Sequence, residues 1–144
     1  MNRTRCIVVL AAAAMSTSVL AHTQDGSLSD AAASTDFYQV TCSDDGSGIP
    51  ASMMAQVQNR GPATAAVSVV VQRGTTATAT VDAVGGDVAQ SPLVSVNGND
   101  GVYSVFVTKS GSGAINYTLS FHCMTGPNGG GLHTGTTIVF RQNQ

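Results

Sequence analysis

From Asp36 to the end of the chain, apolar and polar residues alternate, which is the period of a strand with one face buried. Tyr38, Val40 and Cys42 fall on one side of a first strand, and Met53, Ala55 and Val57 on one side of a second, with residues 44–50 turning between them. Val67, Val69 and Val71 give a third apolar face. Ala77, Ala79, Val81 and Ala83 give a fourth, with threonines opposite, before Gly85, Gly86 and Asp87 break the chain ahead of a short strand over 93–96. Tyr103, Val105 and Val107 then face one way, Ser110-Gly111-Ser112-Gly113 supplies a turn, and Ile115, Tyr117, Leu119, Phe121 and Cys123 face one way on the return, the pattern of a hairpin. A last strand over 136–141 aligns Ile138 with Phe140. About eight short strands separated by turns predict an all-β fold, an antiparallel β-sandwich of immunoglobulin-like or jelly-roll-like form, over residues 36–144.

The first 35 residues do not follow this pattern. Arg3 and Arg5 precede an apolar run from Ile7 to Met15, and Val19-Leu20-Ala21 ends in the small residue that a signal peptidase needs, so 1–21 reads as a cleaved signal peptide. The run is too short for a membrane span of about 20 residues, and no later stretch replaces it. The expected location is secreted or periplasmic. Residues 22–35 are small and polar, with Leu28 the single sizeable apolar side chain, and read as a disordered lead.

Composition supports both readings. There is no Glu and no Trp, while Thr, Val, Ser, Ala and Gly abound, so good surface-helix formers are scarce and β-branched and turn residues plentiful. Removal of 1–21 leaves four cations (Arg60, Arg73, Lys109, Arg141) against eight aspartates, a formal charge of −4. Four scattered cations exclude nucleic acid as the expected partner. Cys6 would leave with the signal, and Cys42 and Cys123 remain as one even pair on inward strand positions, the expected disulfide of an exported protein. It would close a loop of about 80 residues, worth roughly 4 to 5 kcal/mol in the chain-entropy account.

Candidate chemistry is confined to a few residues. Asp44-Asp45-Gly46 and the stretch 97–101 have fragments of calcium-loop composition but lack the alternating ligands and terminal Glu, and read as turns. Asn116-Tyr117-Thr118 is a glycosylation sequon on an outward position. No Gly-x-Ser-x-Gly elbow is present and neither late histidine has an acidic sequence neighbour, so the chain is not expected to be an enzyme.

The three histidines offer more. His122 points outward beside Cys123, Met124 ends that strand, and a glycine-rich loop returns the chain to His133 at the mouth of the last strand. Strands flanking such a loop are often neighbours, so His122, Met124 and His133 are expected at one end of the sandwich. Imidazole with thioether suits copper, Cu(I) in particular. Cleavage after Ala21 would make His22 the first residue, whose α-amine and imidazole can chelate one ion together.

With a mature N-terminal His22, a Gly-x-Tyr-x-Val strand (Gly101-Val102-Tyr103-Ser104-Val105) and the late His133, the chain resembles at these three places the small periplasmic copper carriers of the CopC kind. That resemblance implies an exported β-sandwich that binds copper through its N-terminal histidine. Two departures stand out: Gly131 occupies the place of an acidic residue two positions before the late histidine, and a polar segment follows His22 where that family enters a strand directly. The alternative is a structural or adhesive surface protein, a pilus-like or matrix subunit without a metal, consistent with low charge and Thr/Ala/Gly/Val-rich strands. The expectation taken forward is a copper-binding module using His22, His122, His133 and Met124.

Overall fold

The computed structural model describes residues 22–62 and 65–144; the segment read as a signal peptide lies outside them. Among the described residues there is no α-helix. The described residues form nine strands: β1 His22–Leu28, β2 Thr35–Ser43, β3 Ser52–Asn59, β4 Val67–Arg73, β5 Thr76–Asp82, β6 Val94–Asn97, β7 Gly101–Lys109, β8 Ile115–Met124 and β9 His133–Gln142. All pairings are antiparallel, in the order β5-β4-β7-β2-β9-β8-β3-β6 with β1 also on β8. β5 and β6, at the two ends of this order, come back into contact, so the sheet curls nearly into a barrel.

The alternation read from the sequence sets the core. Tyr38, Val40 and Cys42, the Met53 and Val67 series, and Tyr103, Val105 and Val107 are all buried, as is every second position from Ile115 to Cys123. Each such side chain stabilises the fold by roughly 1.5 to 3 kcal/mol through removal of apolar area from water. Cys42 and Cys123 are bonded, with Cα atoms 5.5 Å apart and a sequence separation of 81.

Five expectations are corrected. Residues 22–28, expected as part of a disordered lead, form β1, paired with β8 from His22↔Phe121 to Leu28↔Ile115. The strand escapes a composition-based reading because a single large side chain, Leu28, is buried, while the close approach is made by Gly26. A Cβ there would lie 2.3 Å from the Tyr117 hydroxyl, so only glycine lets β1 pass over that ring.

The β7–β8 connection is a crossover and not a hairpin: β7 pairs with β2 and β4, β8 with β1, β3 and β9. Its backbone groups find partners elsewhere, Ser110 N–H on Ala66 O, Gly113 N–H on Asp30 O and Ala114 N–H on the Asp30 carboxylate. Lys109, 7% exposed, donates to the carbonyls of Ser29 and Gly113 and plugs that end of the barrel.

On β5 the buried face is Thr78, Thr80 and Asp82, opposite Val71, Val69 and Val67, and Val81 is left 46% exposed. The offset of one residue reverses the expected face. It is tolerated because the Asp82 carboxylate accepts the Asn59 and Val84 N–H groups at 2.7 and 3.2 Å. Finally, Leu93 lies before β6 and is 48% exposed, and β9 begins at His133, three residues before the expected start.

Candidate metal centre

The site is a consequence of how β8 shares one edge. β1 pairs along β8 as far as Phe121, opposite His22, and β9 takes up at Cys123, opposite Thr134, and Met124, opposite His133. Both partners run antiparallel to β8, so β1 and β9 are parallel to each other and both begin beside His122. After Thr134, β9 turns away from β8 to pair with β2, from Ser43↔Gly135 onward. The disulfide sits behind this fork: Cys123 pairs with Thr134, Cys42 with Thr136, and the Cys123 N–H donates to Thr136 Oγ1 at 3.0 Å.

His22 belongs to the inward series of β1 with Gln24, Gly26 and Leu28, but at the fork its ring lies against His133. The two rings stack with centroids 4.9 Å apart and planes at 12°, and His22 Nδ1 is 3.2 Å from His133 Nε2. The His122 ring stands edge-on to both, with centroids 5.2 Å from His133 and 6.2 Å from His22. One nitrogen from each of the three imidazoles falls within 4.8 Å of the other two.

The 3.2 Å between His22 and His133 suits two ligands of one transition-metal ion, and with the third nitrogen bounded only by 4.8 Å the His122 ring would have to draw closer to share that ion. Two nitrogens about 2.0 to 2.1 Å from one ion are roughly 3 to 3.4 Å apart when adjacent and about 4 Å when opposite. His122 Nδ1 is buried and has no hydrogen-bond partner among the described residues, a state that costs about 1 to 3 kcal/mol for a group that stays unsatisfied. Burial, then the neighbouring His133 and His22, lowers the His122 pKa to about 4. His133 is also lowered, by burial and then by His22, against an opposing pull from Asp45. Neutral imidazole is the metal-binding form, and these environments favour it.

The loop between β8 and β9 is tied in place. Thr125 N–H donates to Leu132 O at 2.9 Å and Gly126 N–H to Gly130 O at 2.8 Å, while Ser52 Oγ donates to Gly126 O and receives Gly129 N–H. Asn97 and Asn128 add two more bonds, at 3.0 and 2.7 Å. Gly129, at φ +78, packs so closely on Met54 that a Cβ would come within 2.5 Å of the sulfur. His133 therefore enters β9 from a fixed position.

Of the residues expected at the site, His22, His122 and His133 come together. Met124 is placed by register directly opposite His133 in the ladder. Met54, opposite His122 on β3, was not expected there, because only the β3–β8 register brings it alongside. Tyr103 of the Gly-x-Tyr-x-Val segment is instead a fully buried core ring beneath Arg73. Compared with known protein families, with characterised proteins and with solved structures, the chain matches none.

Proposed function

We propose that this chain is an exported binding module for one copper ion, held by His22, His122 and His133 at the end of a two-layer sandwich. In this reading the curled sheet acts as two layers, β1-β8-β3-β6 against β9-β2-β7-β4-β5, joined where β9 passes from β8 to β2. The supporting observation is the convergence of three imidazole nitrogens, with His22 Nδ1 and His133 Nε2 at 3.2 Å. The orientation of His22 adds weight. Nδ1 is the one ring nitrogen that can close a six-membered chelate with the α-amine of the same residue, and Nδ1 is the nitrogen turned toward His133.

Cleavage after Ala21 supplies that amine. The ligand set is then nitrogen alone, which accepts Cu(II), Zn(II) and Ni(II). Met124 and Met54 pair in register with His133 and His122, and a thioether turned to the ion would favour copper, its reduced state in particular. Among the described residues no carboxylate or thiolate joins the cluster, and Cys42 and Cys123 are committed to the disulfide. The role is binding rather than catalysis. Titration of the protein that begins at His22 with Cu(II), Cu(I) and Zn(II) tests this reading: one copper per chain, held more tightly than zinc, is expected.

A further inference from the structure

β1 and β9 enclose a cleft between them. They meet at the His22–His133 stack, diverge, and are drawn together again where Ser29 N–H donates to Gln144 O at 2.8 Å. The gap between holds about 540 Å³, within the range of small-molecule sites. Its floor is Tyr38 and Tyr117. Tyr117 donates to Asp36 Oδ2 at 2.5 Å and so accepts the hydrogen bond of the Tyr38 hydroxyl, also at 2.5 Å, while Asp36, fully buried, accepts the Gln144 N–H at 2.9 Å through its other oxygen. Burial raises the pKa of both tyrosines, so the floor keeps its protons and its shape.

The rim supplies the chemistry. Asp25 and Arg60 form an ion pair at 3.3 Å, joined by Thr118, so the one carboxylate and one guanidinium of the lining cancel. Asn116 and Asn143 present exposed amides, each with two donors and an acceptor. Phe140 is 46% exposed, with its ring held at 20° and 4.7 Å on Tyr38. A fixed, exposed aromatic ring among paired donors and acceptors with no net charge matches a pyranose, which has an apolar C–H face and hydroxyls around its edge. We propose that this cleft is a binding site for a neutral saccharide of one or two rings.

The site is separate from the histidines, since Gly26 lies four residues along β1 from His22, about 13 Å at strand rise. NMR titration of the full mature chain with glucose, N-acetylglucosamine and cellobiose, and with glycine as a charged control, tests it. Saturable shifts at the Gly26, Asn116 and Asn143 amides are expected with a sugar, at a Kd of about 1 mM, and not with glycine. Phe140→Ala should abolish them. Asn143→Ala, at an exposed position outside the core, should weaken them at least fivefold with the rest of the spectrum unchanged. Absence of saturable shifts with every sugar at about 50 mM, equal shifts with glycine, or shifts that survive Phe140→Ala would overturn the proposal.

Discussion

His22 Nδ1 lies 3.2 Å from His133 Nε2, although the two are 111 positions apart in the chain. The pair exists because β1 and β9 both start on the same edge of β8, and His122 lies between the two starts. A cluster made by register is sensitive to each member. His22→Ala, His122→Ala and His133→Ala are each expected to weaken copper binding at least tenfold, measured by competition titration, with near-native thermal unfolding in each variant.

The α-amine is tested without touching any side chain. A protein that begins one residue earlier, at Ala21, keeps all three imidazoles but turns the amine of His22 into an amide. Its Cu(II) affinity is expected to fall at least tenfold relative to the protein that begins at His22. Equal affinities by calorimetry would remove the amine from the ligand set and leave the imidazole cluster.

Gly26 couples the fold to the site from a distance. In Gly26→Ala the new methyl group would meet the Tyr117 hydroxyl at 2.3 Å, so β1 or the ring must move. A loss of about 1 to 3 kcal/mol is expected, as for other overpacked sites, read as a lower thermal midpoint. Copper affinity should fall with it, because β1 carries His22. Unchanged affinity in a destabilised variant would show that His22 is held independently of the strand.

The pH dependence follows from the histidines. His122 has a folded pKa of about 4, below the unfolded value of about 6.5, and His133 is shifted in the same direction. In this window the unfolded chain binds a proton that the folded protein refuses. The stability of the metal-free protein is therefore expected to fall as pH drops from about 6.5 toward 4, and to fall less in His122→Asn. Urea unfolding at a series of pH values checks this. Copper binding should weaken as pH falls, because its ligands bind only when unprotonated, while the lowered pKa values of His122 and His133 place their share of that loss below pH 6.5.

Reduction of Cys42–Cys123 is expected to lower stability by about 2 to 5 kcal/mol. It should also weaken metal binding, because the bridge joins β2 and β8 behind the fork that sets His133 against His22. Urea unfolding and metal titration of the oxidised protein and of a Cys42→Ala/Cys123→Ala variant, run in parallel, report the two effects.

Most of the strand pattern was legible in the sequence, since Tyr38, Val57, Val69, Val105 and Leu119 alternate with polar residues and all are buried. The convergence of His122 with His133 was legible too, because a short loop joins their strands. What remained hidden depends on contacts distant in sequence. β1 has too few apolar residues to declare itself, and owes its place to backbone pairing with β8 and to Gly26 over Tyr117. The inward face of β5 is set by its pairing with β4, which outweighs its own alanines and valine. The glycine-rich turn after Lys109 has hairpin composition, but its partners are Ala66 and Asp30. Met54 joins the outer face beside His122 through β3, a neighbour that no local pattern predicts.

The central claim, that His22, His122 and His133 form one copper site, is tested most directly by electron paramagnetic resonance of the protein that begins at His22, loaded with one equivalent of Cu(II). The expected spectrum is that of a single species with hyperfine coupling to at least three nitrogens, losing one nitrogen in each His→Ala variant, with a Kd below about 1 μM. A spectrum of aqueous or heterogeneous copper, or one unchanged when His122 and His133 are both replaced by alanine, would contradict it.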